Sequence, residues 1–102
     1  MFTNTSPQFA CFWNQDVSPM ALARLRRQTD FAARNRDRFN RLSPREREIL
    51  TLIARGATND EIARQLFRSV HTVRTHRNNI WRQLEITTLI EALWWAQCFD
   101  LV

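Results

Sequence analysis

The chain has 102 residues, 44% of them hydrophobic and 25% charged, which leaves room for one small domain with an appendage and excludes a chain disordered throughout. Fifteen basic residues against ten acidic ones give a net charge of +5, and every basic residue is Arg, so whether the bias reflects codon preference or Arg's bidentate chemistry, the expected partner is anionic. Cys11 and Cys98 lack the paired spacing of a disulfide framework or a zinc site. No apolar run approaches the roughly 20 residues that cross a bilayer, and Met1–Gln15 has no secretion signal. A soluble, cytoplasmic protein with free thiols, no cofactor, no metal and no membrane contact is expected.

Residues 1–17 mix small polar residues with Phe2, Phe9, Phe12 and Trp13 at no helical or strand period. Those aromatics either pack on a neighbouring surface or order on meeting a partner. Ser18-Pro19 then supplies a cap followed by Pro at the first helical position, which predicts a helix from there to about Asn40. Its apolar residues Leu22, Leu25, Phe31, Ala32 and Phe39 form an interrupted stripe. Residues 1–40 therefore read as a tail and helical arm. The arm either lies against the domain that follows, or serves dimerisation or the docking of another regulatory protein, or is a linker.

The remainder, 41–102, is patterned far more regularly. Ser43-Pro44-Arg45-Glu46 is a capping box with Pro at the first helical position, and Ile49, Leu50, Ile53 and Ala54 make the buried stripe of the helix it opens. Gly56, the sole glycine of the sequence, stands where a left-handed residue ends that helix. Thr58 and Glu61 form a second capping box, with Ala57 and Ile62 placed as a hydrophobic staple, predicting a helix over Asn59–Phe67 with Ile62, Ala63 and Leu66 inward. Arg68-Ser69-Val70 has the length of the turn between two crossing helices, and Ser69 caps the next one.

That next helix carries the functional signal. At about 100° per residue, Val73, Ile80 and Leu84 share a narrow buried sector, and His71, Arg74, Thr75, Asn78 and Arg82 lie opposite. No acidic residue occurs between Glu61 and Glu85, where Arg64, Arg68, Arg74, Arg77 and Arg82 stand with His71 and His76. An ordinary solvated face would mix signs; a face of Arg, Asn and Thr suits guanine, adenine and the thymine methyl in a major groove.

The run LSPREREILTLIARGATNDEIARQLFRSVHTVRTHRNNIWRQL closely resembles the DNA-binding domain of the LuxR/FixJ-type transcription regulators. The resemblance implies an all-α fold, a four-helix LuxR-type helix-turn-helix domain over 41–102 preceded here by the N-terminal helix. It also implies double-stranded DNA as partner, with the third of the four helices, about 70–84, in the major groove. The positions of Arg74, Thr75 and Asn78 are those that contact bases in that family. Thr72 and His76 match its phosphate contacts, and His71, Arg77, Arg82 and Arg68 extend that charged surface. Two departures stand out: Arg68 replaces a branched apolar residue, and Glu85 replaces a Gly, which puts the backbone after the third helix in question. With about 40 residues upstream, a stand-alone regulator is expected.

The last helix, from Thr87 or Thr88 to about Phe99, opens on a Thr88–Glu91 box. Leu89, Ala92, Leu93 and Ala96 suffice to pack it on the core, so Trp94, Trp95, Cys98 and Leu101 are in excess and mark the homodimer contact that the resemblance places on this helix. The competing reading has the arm or the N-terminal aromatics cover that face within one chain. An enzyme lacks its parts: there is no Gly-rich phosphate loop and no nucleophile paired with a base, and His71 and His76 are too far apart in register to share a helix face. The alternative function is a helix-turn-helix module that binds another regulator or the transcription machinery instead of DNA.

Overall fold

A computed structural model describes residues 18–102, and the helices among them are α1 (Pro19–Asn40), α2 (Pro44–Ala54), α3 (Asn59–Leu66), α4 (Val70–Leu84) and α5 (Leu89–Cys98). No strand occurs among the described residues, in keeping with the all-α class. Phe2, Phe9, Phe12, Trp13 and Cys11 lie outside the described residues.

Each helix starts where a Ser or Thr hydroxyl can accept an otherwise unpaired amide of the first turn. Ser18 accepts from Ala21, Ser43 from Glu46, Thr58 from Glu61, Ser69 from Thr72 and Thr88 from Glu91, all at 3.0–3.2 Å. In three of them the box closes, with the carboxylates of Glu46, Glu61 and Glu91 accepting the cap amide in return. The amide and hydroxyl of Thr58 hold the Glu61 carboxyl below the usual carboxylate range, and the amide of Thr87, followed by the hydroxyl and amide of Thr88, does the same for Glu91.

The helix ends are equally local. Gly56 takes a φ of +94° after α2, as the sequence suggests. Phe67, expected inside α3, leaves it instead: it adopts φ 56°, ψ 47°, and the Arg68 amide donates back to the Ala63 carbonyl at 2.9 Å. Glu85 takes the same left-handed conformation, φ 57°, so the backbone that a Gly would adopt is kept despite its side chain, at a cost of about 1–2 kcal/mol. Partners on both sides hold it there, since its amide donates to Arg82, the Ile86 amide to Trp81, and its carboxylate lies 3.5 Å from the Arg38 guanidinium.

One core unites all five helices. Ile49, Leu50 and Ile53 of α2, Ile62 and Ala63 of α3, and Val73, Ile80 and Leu84 of α4 meet Ala92 and Trp95 of α5 and Phe39 of α1. The α1 helix is thus an arm only in part. Its Ala32 and Phe39 are buried and Phe31 is half-buried, but Leu22 and Leu25 remain exposed.

The α1–α5 contact is aromatic. Phe31 meets Trp95 edge to face at 4.9 Å and Trp94 at 5.7 Å; Phe99 stacks on Phe39 at 4.1 Å and lies 5.6 Å from Trp95. Guanidinium groups close the outside, Arg36 over Phe99 and Arg47 over Phe39. The residues expected at a homodimer surface, Trp94, Trp95, Cys98 and Leu101, differ in how far this packing covers them. Trp95 and Cys98 are buried within the one chain, Trp94 and Leu101 are half-buried, and Leu101 packs on the core. Helix α5 is also turned from the expected orientation: Ala92, Trp95 and Ala96 face in, while Leu89 and Leu93, expected to pack, are exposed with Ile90. Burying an indole removes far more apolar surface from water than burying a Leu, so the turn that puts Trp95 inside wins.

If the Phe31 ring anchors α1, Phe31→Ala should destabilise the protein by about 2–3 kcal/mol, somewhat below the loss for a fully buried Phe, and should speed amide hydrogen exchange along α1. Unchanged exchange in α1 would mean that the helix is held elsewhere. On the acid side, the depressed carboxyls of Glu61 and Glu91 contribute stability above their unfolded titration and lose it as pH falls through the lower folded values. A Glu61→Gln/Glu91→Gln variant, which keeps an acceptor at each cap, should show a shallower fall of melting temperature between about pH 5 and 3 than the parent.

Candidate nucleic-acid interface

The interface is built on a helix that cannot rotate. Val73, Ile80 and Leu84 are 0–1% exposed in the core that α4 shares with α1, α2 and α3, and this fixes which side of α4 looks outward. His71, Arg74, Thr75, Asn78 and Arg82 are all exposed, as the angular pattern predicts. The structure therefore brings the expected base-contacting residues Arg74, Thr75 and Asn78 onto one open face. Among the described residues, no side chain hydrogen-bonds Arg74 or Asn78. The Thr75 hydroxyl donates to the His71 carbonyl at 3.1 Å, a bond that holds its rotamer.

The residues expected on phosphate fall into two groups. Arg68, His71 and Arg82 are exposed, with Arg82 donating to Asn79 at 3.1 Å. Arg68 sits on the α3–α4 turn beside Phe67, whose ring is 89% exposed, so its guanidinium displaces nothing from the core. Thr72, His76 and Arg77 are half-buried and held by neighbours. The Thr72 amide donates to Ser69 Oγ at 3.1 Å, and its hydroxyl shares a hydrogen bond with the same oxygen at 2.9 Å. Arg77 donates to Asn59 Oδ1 of α3 at 3.2 Å and lies 4.9 Å above the Trp81 ring. His76 Nδ1 lies 3.8 Å from Glu46 Oε2 of α2.

Asn59, Trp81 and Glu46 are thus part of the site's support, and none is legible from the sequence as such. Asn59 follows a cap, Glu46 completes one, and Trp81 borders the buried stripe, so each has a sufficient local explanation. Only the crossing of α3 and α2 on α4 shows the second role.

The electrostatic asymmetry follows from where the acids are placed. Glu46 and Glu61 are turned back on their own cap amides, Glu48 is paired with Arg45 at 3.1 Å, and no acidic residue lies on α4. The arrangement can hold a polyanion along α4 through several guanidiniums while presenting Arg, Thr and Asn side chains to whatever lies between its charges. Among the described residues, no three His, Cys, Asp or Glu side chains are gathered as a metal site would need, and no helix is long and apolar enough to cross a membrane.

Comparison with known proteins agrees with this geometry. The family model described as bacterial regulatory proteins, luxR family, matches residues 40–96, from the end of α1 through most of α5. The oxygen regulatory protein NreC of Staphylococcus epidermidis is 44% identical over 69 residues, 68% of this chain and 32% of its own length. The nitrate/nitrite response regulator protein NarL of Escherichia coli is 37% identical over 83 residues, 81% of this chain and 37% of its own. The transcriptional regulatory protein LiaR of Bacillus subtilis is 38% identical over 86 residues, covering 84% of this chain and 39% of LiaR. The chain spans well under half the length of these relatives, all of which are named as regulators and none as an enzyme. With more than half of its residues matched, and with the helix-turn-helix in place at α3–α4, the chain belongs to the luxR family of bacterial regulatory proteins.

Proposed function

We propose that this protein is a cytoplasmic, sequence-specific DNA-binding transcription regulator whose residues 41–102 dock on DNA with α4 in the major groove, residues 1–40 forming the arm. The observation that carries this reading is the acid-free outer face of α4, with Arg74, Thr75 and Asn78 exposed together. Arg74 donates in bidentate fashion to a guanine, Asn78 pairs with an adenine edge, and Thr75 offers its methyl to a thymine. His71, Thr72, His76, Arg77, Arg82 and Arg68 meet phosphates and set the register. Arg77 binds with little entropic loss because Asn59 and Trp81 already hold its guanidinium.

Phosphate contacts release counterions, so log affinity should fall with log salt at a slope near −0.9 for each phosphate neutralised, and an insensitive affinity would remove the electrostatic reading of α4. Arg74→Ala should cost about 1–3 kcal/mol on a preferred duplex and far less on random sequence. Arg82→Ala should weaken both about equally. Equal losses on both duplexes for Arg74→Ala would demote that residue to a phosphate contact.

A homodimer completes the proposal, since two copies of α4 would address half-sites about one helical turn apart. With Trp95 packed against Phe31 of α1 and Cys98 buried, the contact falls on the exposed Leu89, Ile90 and Leu93, beside the half-buried edge of Trp94. Ile90, 79% exposed, is the test position. Ile90→Arg should leave the fold intact, shift sedimentation from dimer to monomer and lower DNA affinity without touching the DNA face. A parent chain that sediments as a monomer, free and on DNA, would sink the dimer.

A further inference from the structure

Glu46 and His76 each have a local explanation, the first as a cap and the second as a residue of the proposed DNA face, but they also meet. One oxygen of Glu46, Oε1, accepts the Ser43 amide at 3.0 Å. The other, Oε2, lies 3.8 Å from His76 Nδ1. That nitrogen is shielded from solvent and has no hydrogen-bond partner, while the His76 side chain as a whole keeps 29% of its surface open. The exposed part of the ring therefore belongs to its other atoms. A covered ring nitrogen facing a carboxylate, about 1 Å beyond a charge-assisted hydrogen bond, is a bond that a small movement completes.

Proton counting decides what that bond means for DNA. A neutral imidazole has one N–H, so a ring that donates Nδ1–H to Glu46 has only an acceptor at Nε2, which repels a phosphate oxygen. A ring that donates to both must carry both protons. A carboxylate on one side and a phosphate on the other would both accept from such a ring.

We propose that Glu46 is a positioning residue for His76, holding the ring as an imidazolium between its carboxylate and a DNA phosphate, so that DNA binding takes up one proton from solution. The proposal rests on the DNA-binding reading above. The other charges on elements packed against α4 are engaged or turned away. On α2, Arg45 pairs with Glu48, and Arg47 lies over Phe39 and donates to the Asn40 carbonyl. On α3, Glu61 caps its own helix, and Asp60 and Arg64 are exposed. Arg38 of α1 pairs with Glu85 at the far end of α4, and Glu91 of α5 caps its own helix. On α4 itself, Arg77 is held by Asn59, Arg82 donates to Asn79, and Arg74 and His71 are exposed. His71 is the second titratable group on the face and serves as the control.

Since the complex holds the proton more tightly than the free chain, the contribution is complete at low pH and is lost as pH rises through the histidine range. The test is fluorescence anisotropy with the full chain and a duplex selected by that chain from a random-sequence pool, over about pH 5.5–8.5 at fixed ionic strength. Affinity should fall about threefold to tenfold per pH unit at the steepest part, the upper figure being the limit for one proton. Glu46→Gln keeps an acceptor for the Ser43 amide, so the cap survives, and it should at least halve that slope while preserving discrimination between the selected duplex and a scrambled one. His76→Gln should remove more of the slope than His71→Gln, since only His76 has a carboxylate beside it among the described residues; the former lies on α4 and does not touch the cap, so it tests the idea even if Glu46→Gln folds poorly. In the complex at neutral pH, nitrogen NMR of the His76 ring should show both nitrogens protonated. A slope unchanged in Glu46→Gln, one that disappears with His71 instead of His76, or pH-independent binding by the parent chain overturns the proposal and leaves DNA binding intact. A parent chain that binds no duplex at any pH overturns both.

Discussion

The orientation of one helix governs the rest of this molecule. Helix α4 has 15 residues, and three of them, Val73, Ile80 and Leu84, are sunk in the core to within 1% of complete burial. Each residue advances a helix by about 100°, so even a one-residue change of register would drag Arg74 inward and expose Val73. Burying an unpaired guanidinium costs several kcal/mol, and exposing an aliphatic side chain forfeits about 1.5–3 kcal/mol more, which makes that alternative inaccessible. The outward face is therefore a consequence of the inward one. What α4 can offer a partner was decided by what α1, α2 and α3 required of it.

A domain this small can hold such a helix rigidly only if little of its stability is wasted. Two devices answer that demand. The first is local: every described helix has a hydroxyl cap, three of them closed boxes, each worth on the order of 1 kcal/mol. The second is the aromatic contact between α1 and α5. Phe31, Phe39, Trp95 and Phe99 enlarge the core on the side where α2–α5 alone would leave Trp95 facing water. Helix α1 thus takes the place that a second copy could otherwise fill on that side, leaving Leu89, Ile90 and Leu93 as the open apolar surface of α5.

Caps and the α4 face were legible because both are written in short-range spacing. Ser43 and Glu46, Thr58 and Glu61, and Thr88 and Glu91 lie three apart, and the buried sector of α4 lies at turns of one helix. What could not be read depends on residues distant in sequence. The rotation of α5 turns on whether Trp95 has a partner, and that partner, Phe31, is more than 60 residues away in an interrupted stripe. Phe67 ends α3 although Phe seldom takes a left-handed conformation, because the Arg68-to-Ala63 hydrogen bond closes the helix end and holds it there. The pairing of Asn59 with Arg77 and of Glu46 with His76 needed the helix crossings themselves.

Charge shows the same separation of local and distant causes. Residues 42–102 carry eight Arg against seven acidic residues, whereas residues 19–41 carry seven Arg against two Asp, so nearly all of the net charge resides in α1 and the residue that follows it. The positive face of α4 is therefore made by segregation and not by excess. Five of those seven acids are withdrawn, Glu46, Glu61 and Glu91 to cap amides and Glu48 and Glu85 to Arg45 and Arg38, leaving guanidiniums unopposed on one side of a nearly neutral domain. A field of that kind is short-ranged, because beyond a Debye length of about 8 Å the opposite charges behind it and the salt around it cancel it. Long-range attraction to a polyanion needs net charge, and α1 holds it, with Arg24, Arg26 and Arg27 exposed on the stretch of helix before Phe31. In the proposed complex the two functions then fall to different parts of the chain: α1 raises the rate of encounter without regard to sequence, and α4 discriminates once contact is made.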